Sequence, residues 1–134
     1  MATGIYKKVG FINKEIAQKA KITSASIYID KQHIDHIQIK HGKELLSVGM
    51  DALTFVKCVC QNFNQIRKGS NESYLLVIFN RKLSFVAAMT LDYSVKDGFW
   101  IIKTAQPRRS SAVLKKALLW TDAQTVSRNG GGSH

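Results

Sequence analysis

Apolar positions at the start of the chain recur with the spacing of one helix face. They lie four, three and four residues apart, at Ile5, Val9, Ile12 and Ile16. This periodicity predicts an amphipathic first helix. Residues 25–29 alternate enough to predict a short strand. A second helix is predicted to begin at Lys31, with Asp30 as its N-cap, and to end at Gly42.

The clearest helical pattern follows Asp51, a candidate N-cap. Apolar residues at i, i+3, i+7 and i+10 share one face: Leu53, Val56, Cys60 and Phe63. This third helix is predicted to end near Lys68 and Gly69, after which the pattern changes.

Three continuous apolar runs, rich in aromatic and β-branched residues, predict strands. They cover residues 74–79, 83–91 and 99–104. The polar segments between them, residues 80–82 and 96–98, have the length and composition of hairpin turns. The three strands are therefore predicted to form an antiparallel meander.

The order of these elements predicts an α+β fold, with N-terminal helices packed on one face of an antiparallel β-sheet and a short C-terminal helix. Leu114, Ala117 and Leu118 have the spacing for that last helix. A chain of 134 residues is expected to form one domain, here over residues 1–120. Residues 121–134 are polar, end in GGGSH and are expected to be a flexible tail.

Charge narrows the range of partners. The chain has 20 Lys and Arg residues against 9 Asp and Glu residues, a formal net charge of +11. Such an excess attracts polyanions, of which nucleic acid is the commonest, and an acidic protein is the second alternative. No stretch is apolar enough to predict a membrane span and no basic amphipathic helix predicts binding to a membrane surface. We expect a monomer.

Three of the four histidines lie close together, in the segment HIDHIQIKH at residues 33–41. A helix places His36 beside Lys40, and His33 beside His41 across two turns. Histidine exchanges protons near neutral pH, so His36 and His41 are candidate general acids or bases. The alternative is an ordinary polar helix face.

A second concentration of basic residues follows the last predicted strand. Five basic residues and no acidic residue lie between Asp97 and Asp122, so we expect phosphate to bind here. Thr104, at the end of the strand, could present its hydroxyl to a phosphate oxygen. The candidate RNA-binding residues are Lys103, Arg109, Ser110, Lys115 and Lys116. The alternative is a solvated basic loop.

Metal-dependent chemistry is not predicted, because the acidic residues are scattered singly and form no ligand set. No cofactor is expected either. RNA carries its own nucleophile in the 2′-hydroxyl, so histidine, lysine, arginine and hydroxyl side chains suffice to cleave it. Cys58 and Cys60 are too close in sequence for an ordinary disulfide, which favours a reduced setting.

Several segments resemble the barnase/EndoU/colicin/RelE-like ribonuclease superfamily, and in particular the C-terminal toxin domains of contact-dependent growth inhibition systems and their phage relatives. The resemblance covers about residues 25–120. Its segments are HIDHIQIKH (33–41), GMDAL (49–53), the three strand runs, WIIKTAQPRR (100–109) and LKKALLW (114–120). It implies a metal-independent endoribonuclease, often specific for transfer RNA, that is neutralised by a cognate immunity protein. It also implies delivery as part of a larger toxin and action in the cytoplasm of the target cell.

The resemblance assigns roles to particular residues. It implies His36 or His41 as the acid or base. It implies Lys40 and Arg108 as phosphate stabilisers and Thr104 as a hydrogen-bond donor to the transition state. The chain lacks an obvious glutamate base of the barnase type, and it is therefore more similar to the colicin members, in which a histidine carries the proton.

The resulting hypothesis is a toxin that cleaves structured RNA, in the first place transfer RNA, by 2′-hydroxyl attack that leaves a cyclic phosphate. An acidic immunity protein is expected to cover residues 103–116. The alternative is a non-catalytic RNA-binding or protein-interaction module, which needs the charge but not the histidines. An immunity or antitoxin protein is disfavoured, because inhibitors of basic nucleases are expected to be acidic.

Overall fold

Seven strands and four helices make up the part of the chain, residues 6–122, that the computed structural model describes. The strands are β1 (Tyr6–Ile12), β2 (Ala25–Asp30), β3 (Gln65–Lys68), β4 (Tyr74–Ile78), β5 (Phe85–Ser94), β6 (Phe99–Arg109) and β7 (Leu118–Thr121). The helices are α1 (Lys14–Ala20), α2 (Lys31–Leu46), α3 (Ala52–Asn62) and α4 (Ser110–Leu114).

All seven strands belong to one mixed sheet, in the order β1-β2-β6-β5-β4-β3-β7. Neighbouring strands are antiparallel except for β2 and β6, which run parallel with Ile27 opposite Trp100 and Tyr28 opposite Ile101. The parallel pair arises because the chain leaves β2, forms α2, α3 and three strands, and returns as β6. The α+β class is therefore confirmed.

The finer topology that we predicted is wrong in two respects. The three predicted strand runs do correspond to β4, β5 and β6, which pair antiparallel in chain order. The whole sheet, however, is not a simple antiparallel meander, because β1, β2, β3 and β7 extend it and β2 joins it in parallel. Nor are the longer helices all N-terminal to the sheet, since β1 and β2 precede α2 in the chain.

The predicted first helix is a strand followed by a short helix. Val9 and Ile12 are both buried although they are three residues apart, a spacing that a regular strand would put on opposite faces. A β-bulge between Lys8 and Gly10 shifts the alternation by one residue, and this shift imitates a helical period. Helix α1 begins only after Asn13, whose side chain caps it.

Other element boundaries also differ from the prediction. Helix α2 continues through Gly42, and Gly49, with a φ of 74°, lies where the chain leaves the helical region. Helix α3 ends at Asn62, and the residues predicted to continue it form β3. The segment predicted as a C-terminal helix contains the short α4 and then β7, which pairs with β3. Of the predicted tail, residues 123–134 lie outside the described part.

The two faces of the sheet carry apolar clusters of different size. Helices α1, α2 and α3 contribute to the main core on one face, which we call the helical face, around Trp100 and Ile102. On the opposite face, the open face, Val113 of α4 covers a smaller cluster that contains Leu75 and Val86. Helix α2 contacts β6, and this contact positions the candidate site described next.

Candidate functional site

Asp30 stands at the junction of β2 and α2 and caps the helix. Its Oδ1 atom accepts a hydrogen bond from the backbone N–H of His33, at 2.8 Å. The same oxygen lies 2.7 Å from Nδ1 of the His33 ring. Asp30 is 8% exposed, so a buried carboxylate both begins the helix and holds the imidazole in place.

Opposing effects act on the pKa of Asp30. Burial raises it, whereas the two hydrogen bonds from His33 and the positive charges of His33 and Lys103 lower it. The lowering effects prevail, and the pKa lies below its ordinary value of 3.8. Asp30 is therefore an ionised carboxylate at neutral pH. Such a group only accepts hydrogen bonds, so Nδ1 of His33 carries a hydrogen and Nε2 is left for proton exchange.

Lys103 belongs to this region because of the strand register. In the parallel pair, Tyr28 is opposite Ile101. Asp30 and Lys103 each follow two residues later on their strands, and the charge of Lys103 acts on the Asp30 carboxylate. Strand β6 has a bulge there: Thr104 pairs with Thr90 and Ile102 with the next residue of β5, which leaves Lys103 as the extra residue. Its side chain is exposed and forms no ion pair among residues 6–122. Asp30, His33 and Lys103 form a group that we call the Asp30 cluster.

The predicted histidines lie on the same helix but in other surroundings. His41 is on the buried stripe of α2 with Ile37 and Leu45, and its Nδ1 lies 2.8 Å from Oε1 of Glu44. His36 is exposed. His33 and His41 are two turns apart, ~12 Å along the helix axis, so one phosphate group does not reach both.

The predicted phosphate-binding residues of β6 lie mainly on the open face. Thr104 is opposite Thr90, and Arg108 is opposite Val86 of the open-face cluster. Within the described part of the chain, no hydrogen bond joins Thr104 or Arg108 to a histidine of α2, because the sheet lies between them. The structure thus places Lys103 where its charge acts on Asp30, the partner of His33, but within residues 6–122 no hydrogen bond or ion pair joins His36, Lys40 or His41 to Arg108.

The remaining candidate RNA-binding residues differ in their contacts and in their exposure. Arg109 lies over the ring of Phe85, with 5.4 Å between the guanidinium carbon and the ring centroid. The Ser110 hydroxyl donates to the carbonyl of Leu83 at 2.8 Å, a contact that fastens the start of α4. Lys115 is exposed and Lys116 is half-buried.

Two adjoining cavities lie beside these residues. A small cavity of about 100 Å³ is lined by Arg108, Lys116 and Thr90 together with the loop between β3 and β4. A large cavity of about 800 Å³ is lined by Lys103, Tyr74 and Tyr93, among others. Ser70, Ser73 and Thr90 border both cavities. The two cavities therefore adjoin along these three residues, with Lys103 in the lining of the large cavity and Arg108 in that of the small one.

Sequence reasoning missed three residues of this region. Asp30 was predicted only as an N-cap, although an aspartate followed three residues later by histidine signals that the carboxylate could bind the ring as well as the backbone. His33 was considered only as a neighbour of His41. Arg67, buried in β3, was missed because the apolar run that marks the other strands is lacking in β3.

Residues 6–122 contain no helix that is long and apolar enough to cross a membrane. In the same range, no group of three or more His, Cys, Asp or Glu side chains is arranged to hold a metal ion. No protein-family model, no curated protein and no solved structure matches the chain.

Proposed function

We propose that this protein is a metal-independent endoribonuclease in which His33, held by Asp30, transfers the proton. The observation that carries the proposal is the hydrogen bond between the buried Asp30 carboxylate and Nδ1 of His33. A carboxylate that binds one ring nitrogen orients the other toward substrate and stabilises the charged ring when it takes up a proton.

The reaction follows from the chemistry of RNA. The 2′-oxygen attacks the adjacent phosphorus, its proton passes to Nε2 of His33, and the bond from phosphorus to the 5′-oxygen breaks. The protonated His33 returns this proton from Nε2 to the leaving 5′-oxygen, so the ring is restored and the products are a 2′,3′-cyclic phosphate and a 5′-hydroxyl. Lys103, next to Asp30 in the strand register, stabilises the negative charge that collects on the phosphate oxygens.

Charge supports the choice of substrate and partner. The net charge of +11 favours a polyanionic substrate, and structured RNA such as transfer RNA is the substrate that the superfamily resemblance implies. An acidic immunity protein that covers residues 103–116 would compete with this substrate. Its association should slow steeply with added salt, because long-range attraction is screened.

The proposal is tested by comparing cleavage of total RNA in EDTA by the parent protein and by single variants of each α2 histidine. His33→Gln should lower the rate by about 10²-fold or more, as expected for the loss of a general acid or base. His36→Ala, which changes an exposed side chain on the same helix, is the matched control and should cleave at close to the parent rate. Loss of cleavage in His36→Ala or His41→Ala, with His33→Gln active, would instead support the roles that the resemblance implies.

A non-catalytic RNA-binding module is the second candidate. It is favoured by the small cavity, which presents Arg108 and Lys116 without a histidine. If this candidate is correct, RNA mixed with the protein should shift on a gel and stay intact. His33→Gln should bind the RNA with the same affinity as the parent.

A further inference from the structure

Three cationic side chains meet near the small cavity without a carboxylate to neutralise them. Arg108 and Lys116 line it, and neither forms an ion pair within residues 6–122. Arg67 lies behind Lys116, and its Nη1 donates a hydrogen bond of 2.8 Å to the Lys116 carbonyl. Within residues 6–122, the positive charges that line this cavity are therefore not paired with a carboxylate, and they attract an anion.

Arg67 is buried, and no acidic side chain among residues 6–122 forms an ion pair with it. It is 6% exposed, its Nε donates to Oε1 of Gln65 at 2.9 Å, and burial lowers its pKa. Burying a cation beside other cations is unfavourable unless an anion or a fixed dipole offsets the cost. The hydrogen bond from Nη1 of Arg67 holds the backbone of Lys116 at the cavity.

The opposite wall is a tight loop between β3 and β4. The Gly69 N–H donates to the Ser73 carbonyl at 2.9 Å, and the Ser73 hydroxyl donates to the Ser70 carbonyl at 2.6 Å. A Cβ atom at Gly69 would lie 2.4 Å from the Ser73 hydroxyl oxygen, so only glycine allows this close approach. The hydroxyl residues are thereby held at the edge of the cavity.

Size limits what the cavity can hold. A volume of about 100 Å³ corresponds to roughly three water molecules at ~30 Å³ each. Pockets for drug-sized ligands usually begin near ~300 Å³, so a nucleoside does not fit. A tetrahedral phosphate has the right charge for Arg108 and Lys116, and Thr90 can donate a hydrogen bond to it.

We infer that the small cavity is a binding site for a phosphate group, and that it holds a phosphate of the RNA other than the one that is cleaved. The second part rests on the proposed function, whereas the first rests on the cations and the size of the cavity alone.

The neighbouring large cavity agrees with this division of roles. Its lining includes Lys21 and Lys103 but also Glu72 and Asp92, so its charges are balanced and it attracts phosphate less than the small cavity does. A phosphate bound in the small cavity would place the next part of the RNA chain in the large one, toward Lys103.

The experiment is a titration of the full chain with inorganic phosphate, followed by the backbone amide signals in NMR spectra. Saturable shifts are expected at Ser70, Ser73 and Thr90. Arg108→Gln and Lys116→Gln should each raise the Kd about 10-fold or more, because each removes a charge-assisted hydrogen bond. Lys57→Gln is the matched control, because it removes an equal charge from an exposed position on α3 that does not line the cavity.

Equal affinity in Arg108→Gln and Lys57→Gln, or shifts spread over all basic surfaces, would overturn the phosphate site. A second arm adds an RNA oligonucleotide with 2′-O-methyl groups, which cannot be cleaved. Displacement of phosphate by this RNA supports an RNA phosphate in the cavity, whereas RNA that binds without displacing phosphate overturns that part.

The two proposals fail in different ways. Phosphate binding without any cleavage of unmodified RNA contradicts the proposed nuclease and leaves the phosphate site intact. Cleavage that depends on His33, with no phosphate binding at the small cavity, contradicts the site and leaves the nuclease intact.

Discussion

At the residue scale, a single oxygen atom of Asp30 has two structural roles. Its Oδ1 caps α2 and binds the His33 ring, so the stability of the helix and the orientation of the imidazole are linked. An asparagine at this position keeps an oxygen acceptor, because Asn and Asp are comparable N-caps, but loses the charge. Asp30→Asn therefore separates the electrostatic role of Asp30 from its structural role.

The first prediction concerns catalysis. Asp30→Asn should lower the rate of RNA cleavage by about 10²-fold, because a neutral amide no longer stabilises the charged ring of His33. The measurement is the initial rate across pH 5 to 9 for the variant and the parent. Asp35→Asn, on the same helix and exposed, serves as the control. An Asp30→Asn variant that cleaves RNA as fast as the parent would contradict the catalytic role of the Asp30 cluster.

The second prediction concerns stability in acid. Because the pKa of Asp30 is lower in the folded protein than its ordinary value of 3.8, its charged form stabilises the fold above that value. This contribution is lost as the pH falls through the folded pKa. The difference in the free energy of unfolding between pH 7 and pH 2.5, measured with urea, should be smaller for Asp30→Asn than for the parent. An unchanged difference would show that Asp30 is not the titrating group.

At the element scale, β1 shows how tertiary pairing overrides a local pattern. Strand β1 approaches α3 closely at Gly10, where a Cβ atom would lie 2.8 Å from the Cβ of Cys60. The chain therefore adopts a bulged strand that pairs with β2. Glycine at this position is required by the contact with α3, and not by a positive φ.

The third prediction tests this contact. Gly10→Ala should destabilise the fold by about 1–3 kcal/mol, the usual cost of overpacking a core. Gly42→Ala is the comparison, because its Cβ would meet only the amide end of the Gln38 side chain and no backbone atom of another element, and alanine favours a helix. Thermal unfolding of both variants is the measurement. Equal loss of stability in the two variants would contradict the close packing of β1 on α3.

Local patterns determined some elements and not others. The Asp51 cap and the apolar stripe that follows it located α3, and the continuous apolar runs located β4, β5 and β6, because both signals arise within one segment. The short strand β3 and the bulges at Val9 and Lys103 depend on partners distant in sequence. For the same reason, the pairing of His33 with Asp30, three residues earlier in the same segment, could be predicted from the sequence, whereas the proximity of Lys103 to Asp30 could not.

At the scale of the whole molecule, the sheet separates two kinds of chemistry. The helical face carries α2 with its histidines, and the open face carries Arg108 above the cluster under α4. The bulge at Lys103 lies where β6 passes between these regions. Under the proposed function, RNA that spans both cavities would be held by cations on the open face and would reach Lys103, the member of the Asp30 cluster that lines the large cavity.

The fourth prediction follows from the net charge of +11. The affinity for RNA should fall steeply with salt, and each phosphate contact contributes about 0.7 to the slope of log K against log salt for a single strand. Lys116→Gln should reduce this slope by about one contact, as measured by fluorescence anisotropy with uncleavable RNA. A slope that matches the parent's would show that Lys116 does not contact RNA.

The proposed role of His33 is to transfer a proton during metal-independent cleavage of RNA. The most direct test is to incubate transfer RNA with the purified protein in EDTA and to determine the chemistry of the fragment ends. We expect discrete cuts with 2′,3′-cyclic phosphate and 5′-hydroxyl ends, which His33→Gln should make about 10²-fold or more slowly and His36→Ala at close to the parent rate. Intact RNA, or the same cuts made by His33→Gln at the parent rate, would contradict it.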